Sequence, residues 1–428
     1  MAGALSFLGM TEGEIQRSID AIWRIESPKV IAVLTRKTGD VTMAEDLAQD
    51  ALLAALEQWP AAGVPSNPGG WLVRVALRKG IDQWRRAGRF AEREGEITRD
   101  LEGRQEANAT QVDDRLDDPI GDDLLGLIFM TCHPILSTEA RVALTLRLLG
   151  GLATPEIARA FLVPEPTIAQ RIVRAKRTLA EAKVPFEVPR GTELHERLPS
   201  VLEVVYLIFN EGYSATAGED LIRPTLCEEA LRLGRILAGL APQEAEVHGL
   251  VALMELQASR LRARVGPGGT PVLLMDQDRS RWDAILVRRG LAALAQATSL
   301  GGPLGPYTLQ AAIAACHAQA RTPAETDWAR IAALYDALAQ VAPSPVVELN
   351  QAVAIGMAFG PEAGLRAVDA LLEEKSLQAY HLLPAVRGDL LAKLGRHDEA
   401  RAEFTRAASL TENQRERALL LGRAKTGT

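Results

Sequence analysis

Cysteine is scarce in this chain, with Cys132, Cys227 and Cys316 widely spaced and no CxxC pair. That pattern excludes both a disulfide framework and a zinc ribbon. Cys132 and His133 are adjacent and could seed a metal site with distant partners, but a small buried thiol beside a helix start is the better reading of this pair. No metal and no cofactor are expected. Aromatic residues make up only 4% of the sequence, and alternating runs of Val, Ile, Thr and Tyr are rare, which argues against a sheet-rich fold. Long apolar runs are also missing: none approaches the roughly 18 residues of a membrane span. No Lys or Arg precedes Arg17, so the basic start of an export signal is absent. A cytoplasmic protein with no membrane contact is expected.

What the chain does contain is Ala, Leu, Arg and Glu in abundance, with 47% hydrophobic and 24% charged residues over 428 positions. Those residues favour helix, and the length allows two to four domains, so an all-α architecture is expected. The net charge of −7 is unevenly spread. Between Trp71 and Phe90 lie Arg74, Arg78, Lys79, Arg85, Arg86 and Arg89 against the single acid Asp82. A second basic stretch runs from Arg141 to Lys183, and acids outnumber bases between them, from Glu92 to Asp123. We expect a first module over 10–91, a flexible acidic linker over 92–122, a second module over 123–183 and a large remainder over 184–428.

In the first module, Thr42 and Glu45 read as a capping box opening the helix AEDLAQDALLAALEQW. Its spacing buries Leu47, Ala51, Ala54, Ala55 and Trp59 and turns Glu45, Asp46, Gln49, Asp50 and Glu57 outward. The loop PAAGVPSNPGG ends that helix, and WLVRVALRKGIDQWRR resumes with helical spacing. In the second module Ser137 caps one helix, Gly150 and Gly151 stop it, and Thr154 with Pro155 opens the next. After LVPEP comes TIAQRIVRAKRTLAEA. At 100° per residue, Thr167, Gln170, Arg171, Arg174, Arg177 and Thr178 share one sector, and Ile168, Ile172, Ala175 and Leu179 share another. A short helix, a tight turn and a helix with an outward basic and amide face is the pattern of a helix-turn-helix, in which Arg reads guanine edges and Gln adenine edges. Solvated helix faces carry the same residues, so the pattern gains weight from the first basic stretch, where Trp71 and Trp84 lie among bases able to hold unstacked nucleotides.

Taken together, the two modules resemble extracytoplasmic-function (ECF) sigma factors of bacterial RNA polymerase. Asp46, Leu47, Gln49 and Asp50 match the D-L-x-Q-[DE] pattern of region 2, GGWLVRVALRKGIDQWRR is similar to the helix behind the promoter-melting module, and Arg171–Lys176 matches the region 4 signature R-x-x-R-A-[KR]. The resemblance implies that Asp46, Leu47, Gln49 and Asp50 dock on the core polymerase clamp. It also implies that Trp71, Arg74, Arg78, Arg85 and Arg86 serve the minus-10 element, while Thr167, Gln170, Arg171, Arg174 and Arg177 read the minus-35 element beside the polymerase flap.

The remainder, beginning VPFEVPRGTELHERLPSVLEVVYLIFNEGYSATAG and containing MDQDRSRWD, resembles the subgroup of these factors with a long TPR-like helical extension (ECF42-like). For that subgroup the extension controls sigma activity, and a small YCII-like partner protein is implied. Gly388, Ala400, Phe404 and Ala407 fit a tetratricopeptide helix pair, with Ala367 and Leu371 at corresponding places one repeat earlier. Asp276, Gln277, Asp278, Arg279, Arg281, Trp282 and Asp283 admit three readings: an acid–base or metal site, a structural joint, or a contact with the sigma modules. No nucleophile or cofactor loop accompanies them, and no enzymatic activity is expected. The competing reading of the chain is a one-component helix-turn-helix regulator with a TPR-like sensor domain, which would leave the region 2 motifs without a use.

Overall fold

The computed structural model describes residues 12–87, 117–161, 163–215, 217–218 and 221–426. The chain divides into two compact units, Met1–Val204 and Val205–Thr428. Both are helical, as expected from the composition.

The first unit begins with α1 (Glu12–Thr38) and α2 (Val41–Ala62). The Thr35 and Thr38 hydroxyls donate back to the Ile31 and Leu34 carbonyls near the end of α1, and Gly39 turns the chain at φ 70°. Only glycine adopts that backbone without strain. The start of α2 differs from the expected capping box. Asp40 is the N-cap, its carboxylate accepting from the Thr42 amide at 2.7 Å and the Met43 amide at 3.2 Å. A charged acceptor at the positive end of a helix outcompetes a hydroxyl two residues later, so the helix starts earlier and Glu45 is released from the cap.

Ala44, Leu47, Ala48, Ala51, Ala55 and Trp59 of α2 are buried, as are Leu72, Ala76 and Leu77 of α3 (Pro68–Ala87). Trp59 and Trp71 meet with ring centroids 5.3 Å apart. Asn67 accepts from the Gly70 amide at 2.7 Å and opens α3, and the side chains of Arg85 and Arg86 lie outside the described set.

After residues outside the description come α4 (Asp117–Thr131), α5 (Thr138–Leu148), α6 (Thr154–Phe161), α7 (Glu165–Glu181) and α8 (Thr192–Tyr213). The start of α4 falls inside the stretch expected to be linker. Ser137 caps α5 by accepting from Ala140 at 3.3 Å. Gly151 at φ 64° makes the turn before α6. Pro164 stands at the N-cap of α7 with Pro166 in its first turn, where a missing amide hydrogen costs no bond. Cys132 is buried against the Thr145 hydroxyl at 3.5 Å, and burial pushes its thiol pKa up. His133 uses Nδ1 to accept the Ile135 amide at 3.2 Å. The pair therefore serves the turn between α4 and α5.

The first half of α8 belongs to this unit and clasps α4 and α5. Arg197 donates to the Phe129 carbonyl at 2.8 Å, Ser200 to the Cys132 carbonyl at 2.7 Å, and Arg141 reaches Glu203 at 3.1 Å. Packing of this module thus extends past residue 183.

In the second unit, α9 (Pro224–Leu240), α10 (Ala245–Ala258), α11 (Ala284–Ser299), α12 (Pro306–Gln319), α13 (Trp328–Val341), α14 (Pro345–Phe359), α15 (Pro361–Asp369), α16 (Leu382–Lys393), α17 (His397–Leu410) and α18 (Gln414–Thr426) follow one another as packed neighbours. A parallel pairing of Ala217–Gly218 with Glu412–Asn413 ties the ends of this unit together, and buried Asn413 donates to the Ala215 carbonyl at 3.1 Å. Gly388 lets α16 and α17 approach: a Cβ there would meet the Phe404 ring at 2.9 Å. Ala400, Phe404 and Ala407 are buried in the same cluster as Leu371, with Ala367 packed against it.

Candidate nucleic-acid and polymerase interface

Helix α7 sorts its residues as its spacing predicts. Ile168, Ile172, Ala175 and Leu179 are buried; Thr167, Gln170, Arg174 and Arg177 are exposed; Arg171 and Thr178 lie at the flanks, half-buried. Arg177 is held along the surface by Glu181 at 2.6 Å, one turn on. The outward row Thr167, Gln170 and Arg174 therefore presents a hydroxyl, an amide and a guanidinium side by side, the donor and acceptor set that matches base edges in a major groove. Nothing in the periodicity of α7 distinguishes Lys176, however, and Lys176 is turned inward.

Its partner is Glu45. This carboxylate, 6% exposed, accepts from Arg147 of α5 at 2.6 Å through one oxygen and is contacted by Lys176 of α7 through the other. Burial would raise its pKa, but the charges of Lys176 and Arg147 and their hydrogen bonds hold it below the ordinary value of 4.5. The expectation that Glu45 faces solvent is thereby overturned. Helical periodicity places Glu45 at the margin of the buried stripe of α2, and a pair of cations more than a hundred residues away draws it in. A second contact joins the same two modules: Arg36 of α1 meets Asp123 of α4 at 2.8 Å.

The remaining residues of the α2 motif take different positions. Asp46 is exposed, Gln49 and Asp50 are half-buried, and Leu47 is 1% exposed. Leu47 anchors the helix to its module, leaving the polar three for an outer surface. On α3, Arg74 and Arg78 are exposed on the side away from Leu72, Ala76 and Leu77, Trp71 is half-buried, and Lys79 donates to the Asp50 carbonyl at 3.0 Å. That last bond fixes α2 and α3 side by side, so the acidic and basic faces keep one geometry.

In the second unit the Asp276–Asp283 segment forms two 3-10 turns and a helix cap. Asp278 accepts from the Ser280 amide at 2.9 Å, and Asp283 caps α11 by accepting from Ile285 at 2.9 Å and Leu286 at 3.1 Å. Gln277 is buried and donates to the Val272 carbonyl at 3.2 Å. Arg279 donates to the His317 carbonyl at 2.7 Å and the Thr326 hydroxyl at 3.0 Å, and lies over the ring of buried Trp282 at 5.2 Å. Arg260 approaches the same ring at 5.6 Å. Asp276 and Arg281 are exposed. These bonds join the end of α10, the start of α11 and the end of α12, the geometry of a structural joint. Among the described residues no group of three or more His, Cys, Asp or Glu side chains converges to hold a metal ion.

Comparison with known proteins agrees with the two-module arrangement. Residues 22–90 match sigma-70 region 2, residues 127–179 match sigma-70 region 4, and residues 197–298 match a family of unknown function, DUF6596. The sigma-70 families are non-enzymatic transcription factors. The ECF RNA polymerase sigma factor SigL of Mycobacterium tuberculosis is 30% identical over 145 residues, covering 34% of this chain and 76% of that one. The probable ECF sigma factor SigI of the same organism is 27% identical over 170 residues, covering 40% of this chain and 57% of that one. The chain belongs to the ECF RNA polymerase sigma factors and carries a C-terminal helical extension. Along that whole architecture it is similar to the uncharacterised protein R00370 of Rhizobium meliloti, 44% identical over 395 residues and 92% of each chain. Among the described residues no helix is long and apolar enough to cross a membrane.

Proposed function

We propose that this sigma factor brings core RNA polymerase to a restricted set of promoters, and that its extension regulates that activity. In this reading Asp46, Gln49 and Asp50 form the surface for the polymerase clamp, with Leu47 holding their helix in place. Arg74 and Arg78, with Trp71, Arg85 and Arg86, act at the minus-10 element; Thr167, Gln170, Arg171 and Arg174 act at the minus-35 element, and Arg177 neutralises phosphate. The observation that carries the reading is the outward row of α7, set opposite a buried apolar stripe, in a chain that also carries region 2. Membership of the ECF42-like subgroup and a small YCII-like partner rest on the resemblance of the extension, and a cytoplasmic location, which rests on the sparse cysteines and the lack of a long apolar run, completes the reading.

The test is direct. The full chain is mixed with core polymerase and passed through gel filtration beside an Asp46→Lys, Asp50→Lys variant. Co-elution that the variant loses supports the reading. Tight binding to duplex DNA by the full chain alone, with no polymerase complex, would replace it with the one-component regulator. Control by the extension is tested by run-off transcription with the full chain and with a chain ending after Tyr213. Equal transcription from both would remove that part of the proposal.

A further inference from the structure

The second unit contains a cavity of about 490 Å³, within the size range of small-molecule sites. One wall is a single face of α9, on which Pro224, Cys227, Glu228 and Leu231 fall together at helical spacing. The facing walls come from the end of α10, the turns that follow it and the start of α11, where Leu261, Val265 and Leu286 are only half-buried. Side chains of that kind around an opening leave apolar area for an occupant to cover. Cys227 is no nucleophile here: its thiol donates to the Phe209 carbonyl at 3.7 Å, and burial pushes its pKa up to about 12. The lining is built to bind and not to react.

Its charges lean one way. Residues 260–275 carry Arg260, Arg262 and Arg264 and no acid. Arg262 lines the cavity and is exposed, with no ion-pair partner among the described residues. Arg415, in the first turn of α18, lines it from the far end of the unit and packs on Gly269. Gly269 has φ 79°, and a Cβ there would meet the Arg415 guanidinium at 3.1 Å, so glycine is what admits the arginine. Of the two lining acids, Asp283 is committed to the Ile285 and Leu286 amides, which leaves Glu228 beside two guanidiniums. The Arg415 amide donates to the Asn413 side chain at 3.0 Å, Asn413 donates to the Ala215 carbonyl, and the Ala215 amide donates to the Leu221 carbonyl at 2.9 Å. The cavity therefore lies where the first and last segments of the unit are tied together.

We propose that this cavity binds a small organic acid, an apolar body carrying a single carboxylate, with the body against the α9 and α11 walls and the carboxylate on Arg262 and Arg415. Those two arginines stand on segments about 150 residues apart in sequence, and a carboxylate held by both strengthens the tie between the ends of the unit. As an input to the regulation proposed for the extension, the site rests on that reading; as a binding site it does not.

The test titrates octanoate into the full chain by calorimetry, beside octanol and octylamine as neutral and cationic probes of the same length. Octanoate should bind at one saturable site, octanol about tenfold more weakly, and octylamine not at all. Arg262→Gln and Arg415→Gln should each weaken octanoate by about tenfold and leave octanol unchanged. Leu286→Trp, which fills the cavity, should abolish binding of both while the free chain keeps its cooperative thermal unfolding. Octanoate should also slow hydrogen exchange over residues 221–231 and 412–415 in the wild-type chain, and not in Arg415→Gln. No saturable octanoate binding overturns the site, as does binding that both arginine variants retain in full. Octylamine binding as tightly as octanoate overturns the anionic class. None of these readouts involves polymerase, so failure of the sigma reading in gel filtration leaves the site standing. Octanoate that binds as expected but leaves run-off transcription unchanged overturns its regulatory purpose alone.

Discussion

Two polar segments of this protein are built from the same residue types and come to opposite ends. In α7, Thr167, Gln170 and Arg174 point into solvent beside a buried apolar stripe. In the Asp276–Asp283 segment, Gln277, Arg279 and Trp282 turn inward: Gln277 and Arg279 donate to carbonyls of their own unit, and the Trp282 ring packs under Arg279. The first presents its polar groups outward; the second keeps Asp276, Asp278, Ser280 and Arg281 exposed and turns the rest inward. An Arg and Gln cluster is thus informative about function only after its internal partners have been counted, because a buried guanidinium must satisfy its donors wherever it sits.

The sharpest way to break this comparison is Trp282→Ala. Removing a ring that packs against Arg279 and Arg260 should destabilise the second unit by about 3 to 5 kcal/mol, read from urea or thermal unfolding of the full chain. An unchanged midpoint would mean that the segment is not a joint. On the other side, Arg174→Ala should leave unfolding within about 0.5 kcal/mol of wild type, while costing about 1 to 3 kcal/mol in binding of a minus-35 element by the polymerase complex. Loss of stability without loss of promoter discrimination would reverse the roles of the two segments.

His317 offers a smaller effect with a definite sign. Burial, then the charges of Arg260 and Arg279, push its pKa down to about 4 from an ordinary 6.5, and its ring lies 5.1 Å from Trp328. The unfolded chain takes up a proton between those values while the folded chain does not. Stability of the second unit is therefore full above about pH 6.5 and falls as pH drops toward 4, by about 2 kcal/mol at pH 5. His317→Gln should flatten that part of the pH profile. Gly388→Ala comes last: a methyl group 2.9 Å from the Phe404 ring must displace it, at about 1 to 2 kcal/mol of stability.

Much of the first unit was legible in the sequence. The buried and exposed faces of α7, the cap at Ser137 and the turn at Gly151 follow from local spacing and local chemistry, and the region 2 and region 4 motifs were readable by resemblance to a known family. Gly388 and Phe404 were legible for the same reason, since a small residue facing a large one at repeat spacing is a packing signal. Three features were not. The cap of α2 is Asp40 and not Thr42, because the Asp40 carboxylate accepts from the Thr42 and Met43 amides and draws Thr42 into the first turn of the helix. The reach of α8 back to α4 and α5 depends on Arg141 and Arg197, bases that a helix-face reading assigns to solvent. Glu45 was read as outward for the same reason.

The sequence by itself determined the helices, the order of the modules and the apolar and polar stripes along each helix. Those depend on propensity, capping and a period of 3.6 residues, all of which act within a few turns of the chain. Only the tertiary structure decided which charges remain available. Whether Glu45, Lys176 or Arg279 faces water or a partner depends on groups distant in sequence, and a charge can leave water only where its counter-charge or carbonyl is already in place.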